Sequence, residues 1–421
     1  MATAAALAPA TAGAQTRHVW RLHEPHVLGA SLDLAVVTAD PAVALAAARA
    51  ARAEIGRLDA VLSRWRPDSL FARGGVSDEL DAVAAAADRW RDLTGGAFDA
   101  RRGGHLDLDG IAKGHVIDRA LEAARRTPGV EGLMLDIGGD LRVWGRAPSP
   151  DGWRVGAADP ARLQDNARPA EVLRLSHGAL AFSGPGLRGP HVIGRGGAAS
   201  LMSAAAFAPT AADADALSTA LCAMPPPEGL ALVDRLDGFE ALVIDAEGRR
   251  HASSGWSAMA EPRLILAQAP SAWPAGFQVT VDYEVPRQSN GRAQPPYVVV
   301  WITDAAGAPV RTLAAMGADA RFIDENFIWW RRVGRAMGRG IDAVARPTRR
   351  PGRYSLVWDG HDDKGRPQPQ GRYTVHIEAS REHGGHGYQT FEVTLGAQPS
   401  SVDSAANPEL GPATVRYGPG A

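Results

Sequence analysis

The segment Pro270-Ser-Ala-Trp-Pro274 divides the chain into two stretches whose apolar residues repeat on different periods. Before it, apolar positions recur at helical spacing, as at Ile55, Leu58 and Leu62, between short extended runs. Beyond it, residues 277–285, 297–303, 354–358, 373–379 and 389–395 are short runs rich in Val, Tyr, Phe and Trp. A helix buries one stripe at a period of 3.6 and a strand buries one side at a period of 2, so the two stretches call for separate cores. The 421 residues are enough for both, since a domain needs roughly 100–200.

The first stretch reads as α+β. Residues 17–40 alternate as one or two strands. Helices are expected over 41–62, 77–93, 112–126, 213–224 and 228–236, with Ser77 as a cap and Gly95-Gly96 as a stop. Strands are expected over 132–137, 141–145, 153–157, 172–175, 179–182 and 241–245, with a Gly-rich loop over 184–197. Strands and helices are segregated rather than strictly alternating. The second stretch reads as a small all-β sandwich with hairpin turns at Ala305-Ala306-Gly307 and Asp362-Asp363-Lys364-Gly365. The boundaries drawn from this are a leader at 1–16, an α+β domain at 17–265, a sandwich at 275–396 and a disordered Pro/Ser/Ala-rich tail at 397–421.

A net charge of −2 gives no field for nucleic acid or an anionic membrane. No apolar run reaches the length of a membrane span. The single cysteine, Cys222, excludes an internal disulfide and reads as a core residue. Ala12-Gly13-Ala14-Gln15 resembles a signal-peptidase site and suggests a periplasmic or otherwise exported protein. An Ala-rich disordered leader on a cytoplasmic protein is the alternative.

Three short segments carry the chemistry. Only Lys113 and Lys364 are lysines among 45 basic residues, so Lys113 stands where a compact point charge rather than an arginine fork is wanted. It lies in Asp107-Leu-Asp109-Gly110-Ile-Ala112-Lys113-Gly114, whose glycines and helix start outline an anion site. Asp215 and Thr219, four apart, share a helix face and offer hard oxygens that suit Mg²⁺, or belong to a capped helix whose Thr bonds back to its own backbone. Asp213 is an N-cap or first-turn acid. Asp136-Ile-Gly138-Gly139-Asp140 is a strand ending in an open backbone edge beside a carboxylate, or simply a tight bend.

Together, in this order and with Thr94-Gly-Gly-Ala-Phe98-Asp99, these segments closely resemble the ApbE family of flavin:protein FMN transferases over about residues 19–260. The resemblance implies an ApbE-like α+β domain that uses FAD and Mg²⁺ to transfer FMN to a Thr or Ser hydroxyl of a target protein, releasing AMP. It implies Ala112, Asp215 and Thr219 as metal ligands. It also implies Lys113, Asp215 and His191 as catalytic residues, and Asp109, Gly110, Lys113, Gly138, Gly139, Asp140, Ser183 and Gly184 as the FAD-binding set. The chain departs from the family on the flavin side: the join between Asp99 and His105 is short, no aromatic follows Phe182-Ser183-Gly184-Pro185, and His191-Val-Ile-Gly194 lacks the usual Asp and Pro. A non-catalytic flavin- or nucleotide-binding protein and an FAD pyrophosphatase are therefore the alternatives.

In the second stretch, Trp358-Asp-Gly-His-Asp362 with Gly371-Arg-Tyr373 resembles the Ig-like sandwich of flagellar hook-capping proteins. The whole of 275–396 is similar to an uncharacterised, predicted-periplasmic domain family found beside ApbE proteins. His376, His383 and His386 are a metal set or solvated loop histidines. Asp342 to Thr348 resembles an FMN-acceptor pattern with Arg-Pro in place of Gly-Ala, which makes Thr348 a self-acceptor candidate.

Overall fold

Residues 18–38 fold back on themselves. Strand β1 (His18–Val27) pairs antiparallel with β2 (Ala30–Thr38) across a turn in which Leu28 and Gly29 both have positive φ, 50° and 77°. The structure, a computed structural model, describes residues 18–101, 104–157, 166, 169–184, 201–261, 273–287, 296–316, 325–334, 345–346, 351–381 and 385–420. Asp40 accepts the Ala42 amide and starts α1 (Pro41–Leu62); Ser77 accepts the Leu80 amide and starts α2 (Asp78–Leu93). Helix α3 (Ala112–Arg125) then leads into β3 (Gly132–Ile137) and β4 (Asp140–Gly145). The pair β5 (Trp153–Ala157) and β6 (Glu171–Leu175) stands apart, and β7 (Gly178–Ser183) and β8 (Leu201–Ala208) return to the sheet. Helices α4 (Ala211–Cys222) and α5 (Pro226–Val233), strands β9 (Glu240–Asp245) and β10 (Arg250–Ala252), and the turn of α6 (Trp256–Met259) complete this half.

These strands form one antiparallel sheet in the order β1-β2-β3-β4-β7-β8-β9-β10. One face buries Leu34, Val36, Leu133, Leu135 and Ile137 against Ile55 and Leu58 of α1, Ile117 and Leu121 of α3, and Leu217 and Leu221 of α4. The other face buries Val37, Leu141 and Val143 with Trp153 and Leu173 of the two-stranded sheet and with Trp256. Segregated helices over an antiparallel sheet make this half α+β, as expected. Of the elements of this half that the sequence reading lacks, β8, β10 and α6, the longest is β8. Its Ala204-Ala-Ala206 core carries little strand propensity, yet β8 lies between β7 and β9 and its residues 204 and 206 are fully buried.

The C-terminal half is a β-sandwich. One sheet runs β15-β11-β19-β18 and the other β14-β13-β12-β16-β17. Their strands are β11 (Phe277–Val285), β12 (Tyr297–Asp304), β13 (Pro309–Met316), β14 (Ala345–Arg346), β15 (Gly352–Trp358), β16 (Gly371–Ser380), β17 (His386–Leu395), β18 (Ser400–Ser404) and β19 (Ala413–Pro419). Alternate residues along the strands, among them Val279, Val281, Val300, Ile302, Val375, Ile377 and Phe391, fill the space between the sheets. A helical turn, α7 (Phe327–Trp329) continuing to Gly334, covers the outer face of the second sheet.

The tail at 397–421 is a correction to the sequence reading. It is not disordered: β19 sits inside its sheet between β11 and β18, and Val415 and Tyr417 are buried in the core. Its Pro, Ser and Ala content hid a period of 2, Ala413, Val415 and Tyr417, that faces inward. Trp273 belongs to the same core and packs edge-on to Trp358 and Tyr417, so the sandwich begins within the Pro-flanked segment. The halves touch at Asn166. Its side chain donates to the Val357 carbonyl at 2.7 Å and accepts the Val357 amide at 2.8 Å.

Candidate phosphate and metal site

Three segments far apart in sequence converge at the start of α3. The loop before the helix reaches Gly110, where an added Cβ would lie 3.0 Å from the Phe98 ring and 3.2 Å from the Thr219 hydroxyl. Thr219 therefore lies directly beside the loop. One turn further, the Gly114 amide donates to Asp215 Oδ2 at 3.1 Å. A Cβ on Gly114 would come within 2.2 Å of the Ala211 carbonyl, so only glycine lets α3 and α4 approach this closely. Asp215 and Thr219 share one face of α4, as their spacing predicts, and that face looks onto the Gly110–Gly114 backbone.

The position of α4 is fixed by Asp118, which the sequence reading does not single out. Its carboxylate accepts the Ala211 amide at 2.8 Å, the Ala212 amide at 3.0 Å and Arg142 Nη1 at 2.8 Å. It thus caps the positive end of α4 from the neighbouring helix. Burial pushes its carboxyl above the usual carboxylate range, against the pull of Arg142 and the two amides. Thr210 caps α4 within the chain, and Asp213 is the expected first-turn acid, accepting Trp90 Nε1 at 2.9 Å.

Lys113 extends to Asp140, Nζ to Oδ2 at 2.5 Å, with side chains 18% and 2% exposed. The other Asp140 oxygen accepts the Phe182 amide at 3.0 Å, which ties the lysine to the ends of β4 and β7. Next to Phe182, the Ser183 hydroxyl lies 2.8 Å from that of Ser218 and 3.4 Å from that of Thr219. Lys113, Asp140, Ser183, Asp215, Thr219 and the Ala112–Gly114 backbone therefore form one cluster. The helix start itself offers fewer donors than its sequence suggests. The Ala112 amide is bound by the Leu108 carbonyl at 2.8 Å and that of Gly114 by Asp215, so positive charge comes from Lys113.

The remaining expected residues sit at the margin. Gly138 and Gly139 form the tight turn between β3 and β4, with φ of 63° and 97°, and the Gly139 amide donates to Asp136 Oδ1 at 2.8 Å. The turn alone accounts for both glycines. Asp136 faces away from α3, in register with Asp33, whose carboxylate holds His23 Nδ1 at 2.8 Å. Burial, with Asp33 and Asp140 adding repulsion, pushes the Asp136 carboxyl up to about 7. Asp109 and Asp107 pair with Arg64, and the Arg64 guanidinium lies 4.9 Å over the Trp65 ring. Trp65 is 77% exposed, an aromatic face open to solvent beside the loop, and it was missed because its neighbours carry no periodic pattern. Gly184 ends the described part of this rim; His191 and Thr348 lie outside the described residues, as does His383.

Asp215 and Thr219 side-chain oxygens with a backbone carbonyl are a hard-oxygen donor set of the kind Mg²⁺ takes, with the balance supplied by substrate and water. Among the described residues there is no group of three or more His, Cys, Asp or Glu placed to hold a metal. Of the histidines considered in the second stretch, His376 binds Tyr388 and Thr303, and His386 binds Glu378. A separate cleft of 240 Å³, lined by Glu54, Arg57, Glu79, Arg119, Glu122 and Arg126, lies on the outer side of the helices. Its charges balance among themselves.

Both halves of the chain are similar to known protein families. Residues 100–243 match the ApbE family, and residues 278–412 match the family described as predicted periplasmic protein (DUF2271). A curated FAD:protein FMN transferase from Treponema pallidum (strain Nichols) is 29% identical over 176 residues, covering 37% of this chain and 48% of the relative. The chain thus spans about half the length of that relative. The crystal structure of the ApbE protein from Thermotoga maritima superposes with a TM-score of 0.50 at 21% identity, over 58% of this chain and all of that one. The flavin transferase ApbE from Vibrio cholerae gives 0.48 at 20% identity, again over 58% of this chain and all of that one. The Thermotoga likeness shows the fold: the N-terminal half is ApbE-like.

Proposed function

We propose that the N-terminal half transfers FMN from FAD to a Thr or Ser hydroxyl of a target protein, with Mg²⁺, releasing AMP. The observation that carries this is the meeting of Asp215 and Thr219 with the Gly110–Gly114 backbone and Lys113 along one face of α4. Asp215, Thr219 and the Ala112 carbonyl would hold Mg²⁺. Bound there, it would supply Lewis-acid stabilisation of the diphosphate oxygens. Lys113 adds a point charge, and Asp140 sets its direction by holding Nζ. In the reaction the acceptor oxygen bonds to the FMN phosphorus, the bond to the AMP phosphate breaks, and the hydroxyl proton is lost to solvent or base. Trp65, exposed beside the loop, would offer the isoalloxazine a stacking face in place of the family's longer segment after Asp99, which is short in this chain. The match of the C-terminal half to a predicted periplasmic family supports a periplasmic setting, and no helix among the described residues is long and apolar enough to cross a membrane.

The short flavin side favours a second reading, a flavin binder without transferase activity, and water in place of the hydroxyl would make the site a pyrophosphatase. One assay separates them. The purified chain is incubated with FAD, Mg²⁺ and an acceptor domain carrying a Gly-Ala-Thr segment. Protein-linked flavin with AMP is the expected result; free FMN with AMP means hydrolysis, and unconverted bound FAD means binding alone. Asp215→Ala should reduce transfer by about 10² or more, the loss typical of a charge-stabilising group, and unchanged transfer would remove Asp215 from the metal site.

A further inference from the structure

The outer face of the sheet containing β12, β16 and β17 buries an unusual set of side chains. Trp301 lies directly across from His376, and Tyr388 lies on the next strand, one diagonal step away. The Trp301 and His376 rings stack at 4.7 Å and 10°. The Tyr388 ring is nearly parallel to that of His376, at 12°, with its hydroxyl 2.7 Å from Nδ1. His376 Nε2 sits 2.9 Å from the Thr303 hydroxyl. Trp329 and Val333 of the covering turn close over the group, Trp329 donates to Thr312, and Trp330 lies 6.3 Å from Trp329. Trp301 is fully buried and its Nε1 has no hydrogen-bond partner. An apolar residue would pack there without leaving an unpaired donor.

We propose that Tyr388 and His376 form a redox-active pair, in which an outer-sphere one-electron oxidant removes an electron from the phenol while the phenolic proton moves to His376 Nδ1. The products balance: a neutral tyrosyl radical, an imidazolium that keeps its Nε2–H on Thr303, and the oxidant reduced by one electron. The proton has its acceptor in place at 2.7 Å, so oxidation avoids the high-energy phenol cation. Burial, with Arg332 adding repulsion, lowers the His376 imidazolium to about 4, which keeps Nδ1 unprotonated at neutral pH. Burial also raises the Tyr388 phenol, with Glu378 adding to the rise and Arg332 opposing it, so the proton is there to be moved. The stacked Trp301 and the Trp329–Trp330 pair supply adjacent indoles through which the oxidising equivalent can travel. This inference stands apart from the N-terminal chemistry and does not depend on it.

The test uses the full chain with photo-oxidised tris(bipyridine)ruthenium as the oxidant and freeze-quench electron paramagnetic resonance as the readout. The chain holds six tyrosines, and the expected result is one dominant neutral tyrosyl radical that Tyr388→Phe removes. In His376→Gln, oxidation should slow and become dependent on buffer concentration, because the proton then needs an external acceptor. In the unmodified chain the rate should fall in D₂O, a readout that survives even if a variant misfolds. An unchanged radical in Tyr388→Phe, no tyrosyl radical in the unmodified chain, or a rate insensitive to both His376→Gln and D₂O would each overturn the proposal.

Discussion

In the N-terminal half, the buried carboxylates of Asp140 and Asp215 and the part-buried one of Asp118 each accept backbone amides of another element, and their partners lie along α4 or beside it. In the sandwich, Glu378 does the same for the Ile328 and Trp329 amides, at 3.0 and 2.8 Å, but the polar groups around it face a covering turn. There Asn326 is fully buried with both side-chain polar atoms unpaired. The first arrangement uses buried charge to hold separate segments around an open face. The second uses it to hold a lid of backbone against a sheet. A buried carboxylate is therefore no sign of a site by itself; what it fixes, and whether that leaves room for a ligand, is what separates the two halves.

This contrast can be broken by perturbing each half alone. Deleting 400–420 should have the largest effect, because it strips β18 and β19 from the sandwich along with Val415 and Tyr417. The sandwich should fail to fold while the N-terminal half keeps its own thermal transition, and a single shared loss in calorimetry would show that the cores are not separate. Asp118→Ala should come next, at about 3–5 kcal/mol, since it leaves Arg142 and two helix amides without their partner. The loss should appear in the N-terminal transition alone, and with it FAD binding should weaken as α4 shifts. Gly114→Ala should cost about 1–3 kcal/mol by forcing α3 away from Ala211; hydrogen exchange at the α3–α4 contact is the sharper measurement.

The last effect, read as a pH dependence, concerns Asp136. Its carboxyl holds a proton up to about pH 7 when folded, whereas an unfolded aspartate releases it near 4. Between those values the folded state binds the extra proton, so the stability that this proton contributes is present at low pH and is lost as pH rises toward 7. Asp136→Asn should flatten that decline in the melting temperature of the N-terminal half across pH 4.5–7.5 (roughly the span between the two values). A sandwich transition that shifts equally would assign the decline to other groups.

Most of the fold was legible because its helices carry strong caps and its sandwich strands alternate. What was not legible had weak local signals. Strand β8 is alanine-rich and is a strand only because β7 and β9 flank it. Strand β19 alternates correctly but within a composition that suggests disorder. At the site, Lys113, Asp215 and Thr219 could be paired through spacing and order. Asp118 could not, because an acid in the middle of α3 gives no hint that its partners are the first residues of α4, 93 and 94 positions away. Trp65 gives no signal beyond its size, and its place beside the loop follows only from Arg64 reaching Asp107 and Asp109.

Asn166 has a consequence of a different kind. Among the described residues β15 is the outermost strand of its sheet, and Val357 turns its amide and carbonyl outward, away from β11. An exposed edge of this kind is a template on which another molecule's strand can add, and so a route to aggregation. One carboxamide, reaching across from the other half, fills both hydrogen-bonding positions of Val357, near the C-terminal end of that edge. The link between the halves therefore also serves solubility: Asn166→Ala should leave each core folded yet make the protein more prone to self-associate in light scattering.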